Sequence, residues 1–130
     1  MGENAGLGDK EVIAFAATTE PQRSKQFYEA VLGLRLIADE EFAIVFDAGG
    51  TMLRIQKTQG HTPPPFTVLG WRVDDVHAVI DRLTAVGVEM MRYPGFGQDD
   101  AGVWTAPGGA QIAWFRDPDG NVLSLTAFAE

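Results

Sequence analysis

The sequence contains no cysteine. That removes disulfides, thiolate metal sites and a cysteine nucleophile. Histidine is nearly as scarce, with His61 and His77 the only two in 130 residues. Imidazole-based metal sites and histidine general bases therefore have few candidates. Cations are few: ten Lys and Arg stand against eighteen Asp and Glu, a formal charge of -8. A nucleic-acid binder needs clustered cations to displace counterions from phosphates, so this balance argues against nucleic acid as a partner. No apolar run approaches the roughly 18 residues that span a bilayer. Met1 to Asp9 is polar and glycine-rich, without the basic start and apolar run of a signal peptide. A cytoplasmic protein without membrane contact is expected.

What is present is a repeat. Asp47-Ala-Gly-Gly-Thr-Met-Leu-Arg-Ile55 and Asp117-Pro-Asp-Gly-Asn-Val-Leu-Ser-Leu125 share Asp, Gly and Leu at matching positions. Each reads as a tight turn feeding a strand. Leu32-Gly33-Leu34 and Val86-Gly87-Val88 form a second matching pair, each closing a helical pattern and opening an extended one. A unit built twice is the simplest reading. With 45% hydrophobic residues the chain supports one domain, residues 1–130, with a real core.

Each half reads strand, helix, strand, strand, strand. In the first, about 12–57, Val12 to Thr18 is a strand. Thr19 and Gln22 have the spacing of a capping box ahead of a helix with Pro21 in its first turn and Gly33 at its end. Leu34–Asp39 and Phe42–Asp47 form a hairpin around Glu40-Glu41, and Gly49-Gly50 turns the chain into Thr51–Lys57. Residues 58–65 form a linker stiffened by Pro63, Pro64 and Pro65. The second half, about 66–127, opens with a strand, Phe66–Val73. Asp74 or Asp75 caps a helix with Val76, Val79, Ile80, Leu83 and Val86 on one stripe. Val88–Tyr93 is extended, and Gln111–Arg116 and Asn121–Ala127 form a hairpin. The extra length of this half lies mostly between Tyr93 and Gly109, as a glycine-rich loop with Val103-Trp104-Thr105 as a short additional strand. Asp99-Asp100 within it reads as a solvated loop tip, and Asp117 and Asp119 as turn formers.

These residues resemble the vicinal oxygen chelate superfamily, which includes glyoxalase I, bleomycin- and fosfomycin-resistance proteins and extradiol dioxygenases. The resemblance rests on Phe27-Tyr28 with Leu32-Gly33-Leu34, on Val73-Asp74-Asp75, and on Asp117-Pro118-Asp119-Gly120-Asn121. It spans nearly everything from Val12 to Phe128. It implies an α+β fold of two tandem βαβββ modules forming a cupped mixed sheet, and commonly a homodimer. Metal-dependent members carry four His or Glu ligands on the first and last strands of the modules. The matching positions here are Ile13, Arg54, Val68 and Ser124, none a plausible ligand. Arg54 would also repel a cation, since two like charges about 4 Å apart cost about 4 kcal/mol at an effective dielectric near 20. Neither a metal nor another cofactor is expected.

Strand alternation extends these inward positions by twos. Ile13 brings Phe15 and Ala17; Arg54 brings Met52 and Gln56; Val68 brings Gly70 and Arg72; Ser124 brings Val122 and Thr126. The opposite faces, Ala14-Ala16, Leu53-Ile55, Leu69-Trp71-Val73 and Leu123-Leu125, are apolar and suit burial under the helices. Apolar walls with a few polar groups describe a small-molecule site. The candidate ligand-binding residues are Arg54, Gln56, Ser124, Phe15, Arg72, Trp104 and Trp114. Arg54 is the anchor for an anionic or carbonyl-bearing ligand, or else the partner of an Asp or Glu. Trp104, Trp114, Phe42, Tyr93 and Phe96 either wall a planar ligand or fill the core, and aromatics at such density more often fill the core. A metal-independent ligand-binding protein is expected. The alternatives are a metal-independent lyase or isomerase, and a partner-binding module with a vestigial pocket.

Overall fold

The computed structural model describes residues 3–129. Its first half runs β1 (Ile13–Thr18), α1 (Pro21–Gln26), β2 (Arg35–Asp39), β3 (Ala43–Ala48) and β4 (Thr51–Lys57). The second runs β5 (Thr67–Arg72), α2 (Val76–Ala85), β6 (Trp104–Thr105), β7 (Gln111–Arg116) and β8 (Val122–Ala127). Each half makes its own four-stranded sheet, ordered β1-β4-β3-β2 and β5-β8-β7-β6. In both, the first strand pairs parallel with the last and the other pairs are antiparallel. The internal repeat is thus a repeat of topology. β1 and β5 lie against each other where the two sheets meet.

Both sheets are two-faced, as the alternation requires. Leu53 and Ile55 are buried in the first, Phe115, Leu123 and Leu125 in the second, and all join one core with Tyr28, Val76, Ile80 and Leu83 of the helices. One prediction of the alternation fails. A bulge between Thr67 and Leu69 shifts the register of β5 on β8, and Val68 packs against the core alongside Leu69 instead of facing the other way. An extra residue in one strand breaks the two-residue period on which the inward assignment rested.

The helices depart from expectation in two ways. The capping box is not formed: Glu20 occupies the N-cap of α1 without a side-chain bond. Thr19 instead donates its backbone N–H and its hydroxyl to Asp119 Oδ1, at 2.8 and 3.2 Å. The helix also changes pitch, since Phe27–Val31 is a π-helical turn in which Leu32 N–H reaches back to Phe27 O at 2.9 Å. α2 follows the sequence, with Asp75 as N-cap accepting from Ala78 N–H at 3.1 Å.

In the second half, Val88–Tyr93 does not form the expected strand. It keeps one bridge, Met90 to Phe115, and β6 takes the edge of the sheet beside β7. The longer loop supplies the replacement.

The two modules are joined through a buried polar network. Tyr28, fully buried, donates its hydroxyl to Asp117 Oδ2 at 2.7 Å. Asp117 Oδ1 accepts the backbone N–H groups of Asp119 and Asn121, each at 2.9 Å. Asn121 Nδ2 donates to Asp117 Oδ2 and to Ala17 O of β1, and Asn121 Oδ1 meets His61 Nε2 at 2.6 Å. An amide oxygen only accepts, so Nε2 of His61 carries the proton. Burial first, and then the Asp117 carboxylate, push the Tyr28 phenol far above its ordinary range. Asp117 and Asp119 therefore do more than shape a turn. They tie module 2 to the first strand and helix of module 1.

Candidate functional site

The sheet faces turned away from the core carry the candidate residues, in two groups. In module 1 the central row is Phe15, Arg54 and Val45, on β1, β4 and β3. Gln56 lies two residues further along β4, exposed, beside Ala17 and Ala43. In module 2 the equivalent row is Gly70, Ser124 and Trp114, on β5, β8 and β7. The next row is Arg72, Thr126, Ile112 and Trp104. The two repeat centres, Arg54 and Ser124, each sit in the middle of a sheet.

Arg54 has a protein partner. Its Nη2 lies 2.9 Å from Glu40 Oε1, and the pair is partly exposed. The hairpin that carries Glu40 is itself cross-braced. Lys57 Nζ reaches Asp39 Oδ1 at 2.6 Å, and Lys25 reaches Asp39 Oδ2 at 3.6 Å. The hydrogen bond from Lys57 is the largest of the effects holding the Asp39 carboxyl below the usual range. Around Arg54, Ile13, Phe15 and Met52 are each more than two-fifths exposed. This face is apolar, open and centred on one ion pair.

Ser124 is nearly buried because β5 approaches it closely. A Cβ built on Gly70 would stand 2.5 Å from Ser124 Oγ, so only glycine fits beside that hydroxyl without a shift. Gly70→Ala is expected to cost about 1–3 kcal/mol by overpacking. Ser124→Ala in the same chain should restore most of it, because the next side-chain atom, Ser124 Cβ, is 3.8 Å away. Urea denaturation of the two single variants and the double variant measures the coupling. Additive losses would mean that the hydroxyl is not the obstacle.

The aromatic residues are not core. Tyr93, Phe96, Trp104 and Trp114 stack among themselves, with ring centroids 5.1 Å apart for Tyr93–Trp114, 5.7 Å for Phe96–Trp104 and 6.3 Å for Trp104–Trp114. All four are at least partly exposed and none belongs to the buried cluster. They sit on the outer side because Trp104 and Trp114 share the open face of β6 and β7, and the loop brings Tyr93 and Phe96 over them. Phe42 lies apart from this group, 74% exposed at the tip of the β2–β3 hairpin.

That loop is pinned from within. Gln98 accepts from Tyr93 N–H at 2.6 Å and donates to the carbonyls of Met91 and Gly102. Asp99 is an anchor and not a solvated tip. Its Oδ1 accepts from Ala101 and Val103 N–H, and its Oδ2 meets His77 Nε2 on α2 at 2.7 Å. The histidine bond is the main reason that the Asp99 carboxyl sits below its ordinary range. Arg92 donates to the carbonyls of Asp99 and Asp100.

Arg72 is the candidate that stands apart. Its guanidinium lies 5.3 Å from the centroid of the Phe128 ring, and the residue borders a cavity between the helices. As for a metal, Ile13, Arg54 and Ser124 offer no ligand set, and Val68 has turned into the core. Among the described residues no three His, Asp or Glu side chains are grouped to hold an ion. The donor chemistry does not fit the family's metal.

The model of the Glyoxalase/Bleomycin resistance protein/Dioxygenase superfamily matches residues 12–125. The chain belongs to this superfamily. Among solved structures, it is similar to TioX from Micromonospora sp. ML1, with 22% identity and a TM-score of 0.73 over 92% of this chain and 99% of that one. The fosfomycin resistance protein FosX from Listeria monocytogenes gives 15% identity and a TM-score of 0.73, over 93% and 92% of the two chains. Lactoylglutathione lyase from Agrobacterium tumefaciens gives 18% and 0.69, over 92% and 95%. At these identities the likeness concerns the fold. No curated protein matches the sequence. Within the superfamily this chain is a member that lacks the metal ligands, and its two sheets are the family's two modules. No helix among the described residues is long and apolar enough to cross a membrane.

The sequence missed Glu40, which occupies Arg54, and the loop pin made by Gln98, Asp99 and His77. The hairpin register offered a signal for the first, because a Glu in the turn closing β2 and β3 lies near the end of β4. The second joins residues on separate elements and left no local pattern.

Proposed function

We propose that the chain is a metal-independent small-molecule-binding protein whose ligand is planar and aromatic and lies on the open sheet faces. The observation that carries this reading is the four-ring cluster of Tyr93, Phe96, Trp104 and Trp114, which stacks outside the core and is partly exposed. Exposed aromatic area arranged this way offers a stacking surface for a flat ligand. Ser124 next to Trp114 supplies a hydroxyl at its margin. Arg54 is the cation for a carboxylate or carbonyl on the ligand, released from Glu40 when the ligand binds. Phe15 and Gln56 flank it. Exchanging one carboxylate partner for another keeps the guanidinium paired throughout.

No His, Asp or Glu stands on the central rows beside Ser124 and Trp114, which favours binding over a lyase or isomerase activity there. The exposed Ile13, Phe15 and Met52 favour a homodimer that covers part of this face. The absence of cysteine favours a reducing compartment such as the cytoplasm.

A thermal-shift screen of planar aromatic metabolites and antibiotics tests the reading, since a ligand of the native state raises the midpoint. Hits should bind at least about tenfold more weakly to Trp114→Ala, a loss of about 1.4 kcal/mol. Those bearing a carboxylate should also weaken with Arg54→Ala. Hits indifferent to both variants, or stoichiometric metal in the purified protein, would overturn it.

A further inference from the structure

A second site lies on the other side of the sheets. A cavity of about 270 Å³ opens between the modules, walled by Val31 and Leu32 at the end of the π-helical turn, Trp71 of β5, Val79 and Leu83 of α2, and Phe115 of β7. Its lining is apolar except for two arginines, Arg72 and Arg82. Both are solvent-exposed.

The charge pattern adds to the lining. In a chain with eighteen acidic residues, most cations have an anionic or carbonyl partner. Arg23, Arg35, Arg54, Lys25 and Lys57 are in ion pairs, and Arg92 caps loop carbonyls. Among the described residues Arg72, Arg82 and Arg116 are in no ion pair; Arg116 borders a separate cleft beside Asp117 and Pro118, and Arg82 lines this cavity from α2. Arg72 is held over the Phe128 ring. Asp81, next to Arg82 in sequence, borders a different cleft with Ile80 and Thr84. An apolar cavity with an unpaired arginine at its edge matches a ligand with an apolar body and one anionic group. The π-helical turn adds a second pointer. Such turns interrupt regular helices frequently at functional positions, and this one delivers Val31 and Leu32 to the cavity wall.

We infer that the cavity between the π-helical turn and α2 binds a small apolar carboxylate, its tail among Val31, Val79, Leu83 and Phe115 and its carboxylate on Arg82. This site is separate from the open sheet faces and does not depend on what binds there.

Octanoate and octan-1-ol share a tail length and differ in charge, so they test the inference directly. Calorimetric titration of the full chain at low salt should show one octanoate per chain, bound at least about tenfold more tightly than the alcohol. Arg82→Gln should bring octanoate down to the affinity of the alcohol. Val79→Phe, which fills the cavity from α2, should weaken both ligands while leaving the fold intact by circular dichroism. Equal affinities for acid and alcohol, or octanoate binding unchanged in Arg82→Gln, would sink the proposal. So would loss of octanoate binding in Trp114→Ala, which would place the anion on the open face. Absence of octanoate binding up to millimolar concentration would also overturn it.

Discussion

Replacing Asp117 with alanine is expected to cost about 3–5 kcal/mol, because one side chain satisfies four buried or half-buried donors. They are the hydroxyl of Tyr28, the backbone N–H groups of Asp119 and Asn121, and Asn121 Nδ2. Tyr28 and Asn121 are fully buried, so water cannot replace the lost acceptor at either. Each orphaned group carries a penalty of about 1–3 kcal/mol, and some relaxation keeps the total below the simple sum. A small domain is stable by about 5–15 kcal/mol, so the loss removes a large share of the whole. Asp117→Asn should fall between. Its oxygen can still serve the two backbone N–H groups, but its amide nitrogen would face Asn121 Nδ2, donor against donor. The hydroxyl of Tyr28 can turn to accept; the amide of Asn121 cannot. Urea midpoints of the three proteins rank them. An Asp117→Ala protein within about 1 kcal/mol of wild type would mean that water reaches these donors.

The same network shows where the sequence was legible. Every strand that forms was foreseen, because alternation of apolar and polar residues and the glycine turns mark them locally, and one foreseen strand did not form. Leu53-Ile55 and Leu123-Leu125 sit in the core where their spacing put them. The lost strand at Val88–Tyr93 had β-forming residues, but the edge of the sheet was won by Trp104-Thr105. Competition between two segments for one edge is a tertiary question, and neither segment records its outcome. Val68 failed for a related reason, since a bulge depends on the partner strand. The motifs Phe27-Tyr28 and Asp117 to Asn121 were visible as motifs. Their meaning was not, because the bond from Tyr28 to Asp117 spans 89 residues. Arg54 was correctly seen as a cation in need of a partner, and the choice between ligand and carboxylate needed the position of Glu40. The aromatic cluster reversed the expectation drawn from density alone. Core membership depends on which face of β6 and β7 the rings occupy, and on a loop that brings Tyr93 and Phe96 to the same side.

Tyr28→Phe is expected to lose stability at neutral pH and to regain parity with wild type in alkali. At neutral pH the variant forfeits a hydrogen bond to a buried carboxylate, worth about 2 kcal/mol. Asp117 keeps its other three donors, so the loss stays well below that of Asp117→Ala. In wild type, burial and the neighbouring Asp117 hold the folded phenol neutral far beyond its ordinary range. The unfolded phenol ionises near pH 10. The stabilisation from Tyr28 is thus complete below about pH 10, and it drains away as pH rises toward the folded value. Above pH 10 the unfolded state binds one proton fewer than the folded state, so stability falls by about 1.4 kcal/mol per pH unit. Phenylalanine carries no such proton. Every other group is common to the two proteins and cancels in the comparison. The gap of about 2 kcal/mol should therefore close between about pH 11 and 12. Urea denaturation of the pair at pH 8, 10 and 11 follows it. A gap that stays constant across that range would mean that the folded phenol ionises as freely as the unfolded one. That would require solvent to reach the Tyr28–Asp117 pair, and the junction between the modules would then be open.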